Sequence, residues 1–303
     1  LSRGGLNLMD ALALSAPRRI SVPIDNRWGG GEMAVLDFGD RERPVDLVFV
    51  HANGFNARTY RTLLQPLSSA LRIWAPDLRG HGATRLPAEP DGHRSWKDHR
   101  DDLIGLLEAI GGPPVALAGH SIGGTSGLLA AAEQPERVSR LLLLDPVIWP
   151  RPMVMALNLP LASRLSRGFP IVSRTLKRRA VFDSREQALA AYRGRGAFKG
   201  WPDLMLADYL ADGLADTDRG LELTCSPAWE ASNYAAQAHD PWRALARYPG
   251  AVRILKGETG SLCAVRPSAR RAAMQVETTA GGGHLFPMTH AEITRDALFD
   301  LAV

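Results

Sequence analysis

Between residues 19 and 146, short runs of near-continuous apolar residues alternate with stretches of helical period. A strand that is apolar at every position must be covered on both faces, and crossover helices between parallel strands provide that cover. The predicted strands are Arg19–Pro23, Glu32–Gly39, Asp46–Ala52, Leu71–Leu78, Pro114–Gly119 and Arg140–Asp145. Ser95 opens a helix with acidic residues in its first turns. Leu103, Leu106, Leu107 and Ile110 then recur at helical spacing until Gly111-Gly112-Pro113 stops it.

After Asp145 the alternation lapses, and the next clear strand is Ala251–Glu258. Helical periods in the gap are punctuated by Pro150, Pro152, Pro160, Pro170, Gly194, Gly196 and Gly200, which reads as an inserted helical unit. Trp149, Trp201, Trp229 and Trp242 lie in or beside it. A strand at Met274–Thr279, a glycine-rich loop and a helix from Thr289 to Leu301 complete the pattern. The fold class expected is therefore α/β: a mostly parallel eight-stranded sheet flanked by helices, with a helical insertion.

Composition narrows the function classes. The chain is 45% hydrophobic and 22% charged, an ordinary globular balance. No apolar run approaches the roughly 18 residues of a membrane span, so no stable membrane insertion is expected. The N-terminus lacks the basic, apolar and small-residue succession of a secretory signal, which points to a cytoplasmic location. Cys225 and Cys263 are too few for a disulfide scaffold and lack zinc-site spacing. His93 and His99, near Asp98, Asp101 and Asp102, read as surface residues of the helix they flank, so no metal is expected.

The net charge is +4, unevenly spread: residues 151–200 hold eleven Lys or Arg against Asp183 and Glu186, while residues 201–250 hold three basic and eight acidic side chains. No nucleic-acid-reading motif accompanies the basic segment, so no nucleic-acid partner is expected. Arg174-Thr-Leu-Lys-Arg-Arg179 reads as a solvated helix face.

The chemistry is carried by Gly119-His120-Ser121-Ile122-Gly123-Gly124. Gly-x-Ser-x-Gly alone is a weak signal. Here an apolar strand, Val115-Ala-Leu-Ala118, precedes it and a helix of small residues, Thr125 to Ala132, follows. That is the context of a serine held on a strained strand-to-helix turn. Three further motifs stand in order: His51-Ala-Asn-Gly-Phe55, Asp77-Leu-Arg-Gly-His-Gly82 and Gly283-His284-Leu-Phe-Pro287.

With these four motifs the chain resembles the α/β-hydrolase family from about residue 20 onward. The resemblance implies the α/β-hydrolase fold and makes the insertion a cap. On that reading residues 1–18 are an N-terminal extension, 19–147 and 248–303 the core, and 148–247 the cap. Ser121 is the expected nucleophile and His284 its base. The acid departs from the common pattern: the loop after Ala251–Glu258 reads Gly257-Glu-Thr-Gly-Ser261, with a glycine where relatives commonly place aspartate. Some members, dehalogenases among them, carry the acid after the preceding strand, where this chain has Asp145. Asp145 is the favoured acid and Glu258 the alternative.

By the same resemblance, the backbone amides of Asn53 and Ile122 form the oxyanion hole, with the Asn53 side chain as an additional donor. Phe55, His120 and Trp149 are the candidate substrate-binding residues, although His120 beside the nucleophile also fits a structural role. His51 and His81 are expected to position loops. The implied function is serine hydrolysis of carboxylic esters through an acyl-enzyme, without a cofactor, on a small-molecule ester with an apolar acyl or aromatic part. The alternatives are cleavage of an amide, thioester or C–C bond, or ligand binding without turnover on the same fold.

Overall fold

The computed structural model describes residues 16–159, 166–267 and 273–303; Pro160 and all but the last three residues of the expected N-terminal extension lie outside them. In chain order the strands are β1 (Arg18–Ile24), β2 (Gly31–Phe38), β3 (Leu47–Val50), β4 (Ile73–Pro76), β5 (Val115–His120), β6 (Val138–Leu144), β7 (Val181–Phe182), β8 (Leu214–Thr217), β9 (Gly220–Leu223), β10 (Ala251–Gly257) and β11 (Met274–Thr279). Eight of them form one sheet in the order β1-β2-β4-β3-β5-β6-β10-β11. β1 and β4 run antiparallel to β2, and the remaining pairs are parallel. This is the α/β-hydrolase fold that the sequence pattern and its resemblance implied. β1 begins at Arg18, so the last residue of the expected extension already belongs to the sheet.

Strand periodicity divides the apolar side chains between the two faces. Val48, Val50, Leu141 and Leu143 join one buried cluster with Leu103, Leu106 and Leu107 of the helix Lys97–Ile110. Their neighbours Leu47, Phe49, Leu142 and Leu144 join a second cluster with Leu298 of the closing helix Ala291–Ala302. Burial on both faces explains why these strands read as continuous apolar runs, each leucine contributing about 1.5–3 kcal/mol relative to exposure.

The insertion between β6 and β10 is not wholly helical. β7, β9 and β8 form a three-stranded antiparallel sheet within it. Thr217 to Gly220 close the β8–β9 hairpin, where Gly220 has φ 112°. Phe182, Phe198, Trp201 and Tyr209 of the insertion enter the second apolar cluster, so the unit is anchored to the sheet through aromatic packing. No described helix is long and apolar enough to cross a membrane.

Candidate active site

Parallel strands leave a crevice beyond their carboxyl ends, and the chemistry-bearing residues collect there. Ser121 follows β5 at the N-terminus of the helix Ile122–Glu133 with φ 55° and ψ −119°. A non-glycine residue in this region is strained, and the strain aims the side chain out of the turn. The neighbouring glycines make the turn possible. A Cβ on Gly119 would lie 2.5 Å from the Gly123 carbonyl, and one on Gly123 would lie 2.4 Å from the Val50 oxygen.

His284 arrives on the loop after β11, and its Nε2 lies 3.0 Å from Ser121 Oγ. Its Nδ1 lies 2.5 Å from Asp145 Oδ2. Asp145 stands directly after β6, completely buried, with φ 40°. Its other carboxylate oxygen accepts the Ser261 hydroxyl and, at 3.4 Å, the Gly257 N–H. With one carboxylate oxygen on the histidine and the other held by donors from the loop after β10, the Asp145–His284–Ser121 relay is continuous. Such an arrangement lets the histidine take the serine proton while the carboxylate stabilises the imidazolium.

Glu258 is exposed on the loop after β10, and its carboxylate accepts the Gly281 N–H at 2.8 Å. It ties that loop to the histidine loop, while the imidazole is engaged by Asp145. The alternative acid is thereby placed in a supporting position.

Ile122 opens its helix, where an N–H has no intrahelical acceptor. Among the described residues neither the Ile122 nor the Asn53 backbone N–H has a protein partner. Asn53 sits on the loop after β3, and that loop is held on several sides. His51 Nε2 accepts the Leu78 N–H at 2.8 Å, and His81 Nε2 accepts the Gly54 N–H at 3.1 Å. Both imidazoles are driven toward the neutral form by burial, His51 to about 3. Asp77 accepts the Ala57 and Ala83 N–H groups and pairs with Arg19 at 2.7 Å. Gly82, at φ 54°, passes so close that a Cβ would lie 2.2 Å from the Asp77 carboxylate.

The profile of the alpha/beta hydrolase family matches residues 47–297, most of the chain and every residue of the relay. The chain belongs to the alpha/beta hydrolase family. A curated relative of this chain is the sn-1-specific diacylglycerol lipase ABHD11 of Mus musculus, 33% identical over 44% of this chain and 47% of the lipase. The chain thus spans less than half the length of that relative. It is 25% identical to the 2-(acetamidomethylene)succinate hydrolase of Mesorhizobium japonicum over 83% of this chain and 86% of that protein. A crystal structure of E-2-(acetamidomethylene)succinate hydrolase superposes with a TM-score of 0.74 at 23% identity, covering 94% of this chain and 99% of the other. A thioesterase domain from the curacin biosynthetic pathway gives a TM-score of 0.70 at 16% identity, with coverage of 94% and 99%.

The geometry corrects the expectation for His120 and places the other candidates. His120 was a candidate substrate contact, yet it is completely buried. Its Nδ1 meets the Tyr60 hydroxyl at 2.6 Å and its Nε2 the His284 carbonyl at 2.9 Å, so it braces the His284 backbone. Burial, followed by the facing His284, pushes its pKa down to about 3. The Asn53 side chain gives one of its two amide N–H groups to the Glu230 carbonyl at 2.9 Å, which leaves at most one for the oxyanion. Phe55 packs against Trp201, Tyr209 and Phe198, with ring centroids 5.2, 5.7 and 6.2 Å away, and so joins the core to the insertion. Trp149 is half-buried, donates its indole N–H to Gln237 at 3.0 Å and packs on Phe169.

His93 and His99 are not surface residues either. The His93 side chain is 6% exposed and His99 is completely buried. The reason is long-range: the insertion helix Pro227–Ala235 covers them and supplies Asn233 as their common hydrogen-bond acceptor. Sequence reasoning also missed Ser261, Tyr60, Glu230 and Asn233. Each acts through a partner distant in the chain, and no local pattern marks them.

Proposed function

We propose that this hydrolase cleaves carboxylic esters by a serine acyl-enzyme mechanism. The observation that carries the reading is the unbroken hydrogen-bonded relay from Asp145 through His284 to a Ser121 held at positive φ. Ser121 Oγ attacks the ester carbonyl carbon while His284 Nε2 accepts its proton. The oxyanion accepts the Asn53 and Ile122 backbone N–H groups, already desolvated and oriented before reaction. Collapse expels the alcohol with the proton held by His284, and a water repeats the cycle to release the acid. The residues 148–247 act as a cap over this site, and the substrate is a small-molecule ester with an apolar acyl or aromatic part.

The test is hydrolysis of p-nitrophenyl esters from acetate to palmitate by the parent, Ser121→Ala and His284→Ala. Either substitution is expected to lower kcat by several powers of ten. A fluorophosphonate should label the parent and spare Ser121→Ala. A folded parent that turns over no ester and takes no label overturns the ester reading and the serine mechanism together.

A second reading, cleavage of an amide, thioester or C–C bond by the same acyl-enzyme, is favoured by the length of the match to the acetamidomethylenesuccinate hydrolase, which greatly exceeds that to the lipase. Fluorophosphonate labelling without ester turnover would select it.

A further inference from the structure

The strongest cluster outside the relay lies behind the oxyanion loop. Asp98 and His99 occupy the first turn of the helix Lys97–Ile110, and His93 precedes them on the loop. One ligand atom of each lies within 4.8 Å of the other two. His93 Nδ1 is 3.4 Å from Asp98 Oδ2. Two ligands at zinc-bond length around a tetrahedral ion stand about 3.4 Å apart, so closing a pair that is no wider than 4.8 Å takes at most about 1.4 Å of side-chain movement.

The insertion sets the tautomers. Asn233 donates its amide N–H to Asn53 Oδ1 at 3.1 Å, which fixes which end of the amide faces the histidines. Its Oδ1 then accepts the Nε2–H groups of His93 at 3.1 Å and His99 at 2.9 Å. With Nε2–H given to Asn233, the neutral form of either imidazole presents Nδ1 as a lone pair. His99 Nδ1 is buried without any hydrogen-bond partner among the described residues. Asp98 is 4% exposed, accepts the His99 N–H, and among the described residues has no ion-pair partner but His93. A buried carboxylate without a lysine or arginine, beside an orphaned imidazole nitrogen, is a site lacking a positive charge. A carbonyl oxygen on the far N–H of each histidine is the outer support that metal-binding histidines require.

We propose that His93, Asp98 and His99 bind one divalent transition-metal ion of the zinc or cobalt type, held apart from the relay and set against the oxyanion loop. The ion replaces no group of the ester chemistry. It neutralises Asp98, saturates His99 Nδ1 and, through Asn233, stiffens the hold on Asn53. Three protein ligands leave the remaining position to water.

Metal-stripped full-length protein titrated with Zn2+ by calorimetry, and with Co2+ by visible absorption, tests the site. One equivalent should bind, with a Co2+ band showing nitrogen and oxygen ligation and a rise in Tm on metal addition. His93→Gln and Asp98→Asn, each verified as folded by circular dichroism, should weaken binding by at least about tenfold. Ser121→Ala should bind as the parent does, which separates this result from the fate of the ester reading. A parent that binds no ion, or folded variants that bind it with the parent's affinity, would overturn the proposal.

Discussion

At the end of β6 the chain turns at Asp145, completely buried and at positive φ; at the end of β10 it passes through Gly257-Glu-Thr-Gly-Ser261, whose Glu258, Thr259 and Gly260 are exposed. The two strand ends are hydrogen-bonded neighbours, joined by the Asp145 N–H to the Leu255 carbonyl at 2.7 Å. The carboxylate at the end of β6 meets His284, whereas Glu258 at the end of β10 meets the Gly281 N–H. Here the first loop carries the charge, and the second supplies donors to it from Ser261 and Gly257. The contrast shows two neighbouring strand ends dividing one task, with the loop that lacks the histidine-bound carboxylate solvating the one that has it.

The comparison breaks most decisively at Asp145. Asp145→Asn should lower kcat by about 10⁴-fold with little change in fold, because the histidine loses the acceptor that fixes its tautomer; retention of parent activity in ester assays would place the acid elsewhere. In that background, Gly260→Asp asks whether the second loop retains the capacity to host the charge. Gly260 has φ 63° with nothing within 4 Å of an added Cβ, and aspartate tolerates that conformation better than most residues. Recovery of about tenfold in kcat over Asp145→Asn is expected from those two facts; no recovery would show that the loop now only supports.

Ser261→Ala should reduce kcat about tenfold, the worth of one hydrogen bond to a charged acceptor, with KM nearly unchanged. A shift confined to KM would move Ser261 to the substrate side. Smallest is Glu258→Gln, which keeps a carbonyl oxygen for the Gly281 N–H; kcat should stay within about twofold and any loss of stability below about 1 kcal/mol. A collapse of kcat in this variant would reverse the assignment of the two loops.

Much of this arrangement was written locally. The central strands of the main sheet announce themselves because burial on both faces removes polar residues from Val48 or Leu142 and their neighbours alike. Gly119 and Gly123 mark the turn at Ser121 because backbone occupies the space a side chain would need. The three-stranded sheet of the insertion was not legible: β7 has two residues, and Leu214–Thr217 continues directly from the helix Asp203–Gly213 without a break in composition. His99 looked like one more polar residue in a helical first turn. Only the covering helix, more than a hundred residues away in sequence, makes it interior.

The Asn53 side chain is gripped by the Glu230 carbonyl and by Asn233, so the loop after β3 and the insertion after β6 share one polar joint. Specificity and rate are therefore not modular in this molecule. Grafting a foreign insertion to change which ligand enters would also release Asn53, whose backbone N–H is the proposed oxyanion donor. On the proposed mechanism a chimaera would inherit a new pocket with a loosened loop after β3, and restoring its turnover would require rebuilding the acceptor and donor at positions 230 and 233 along with the pocket.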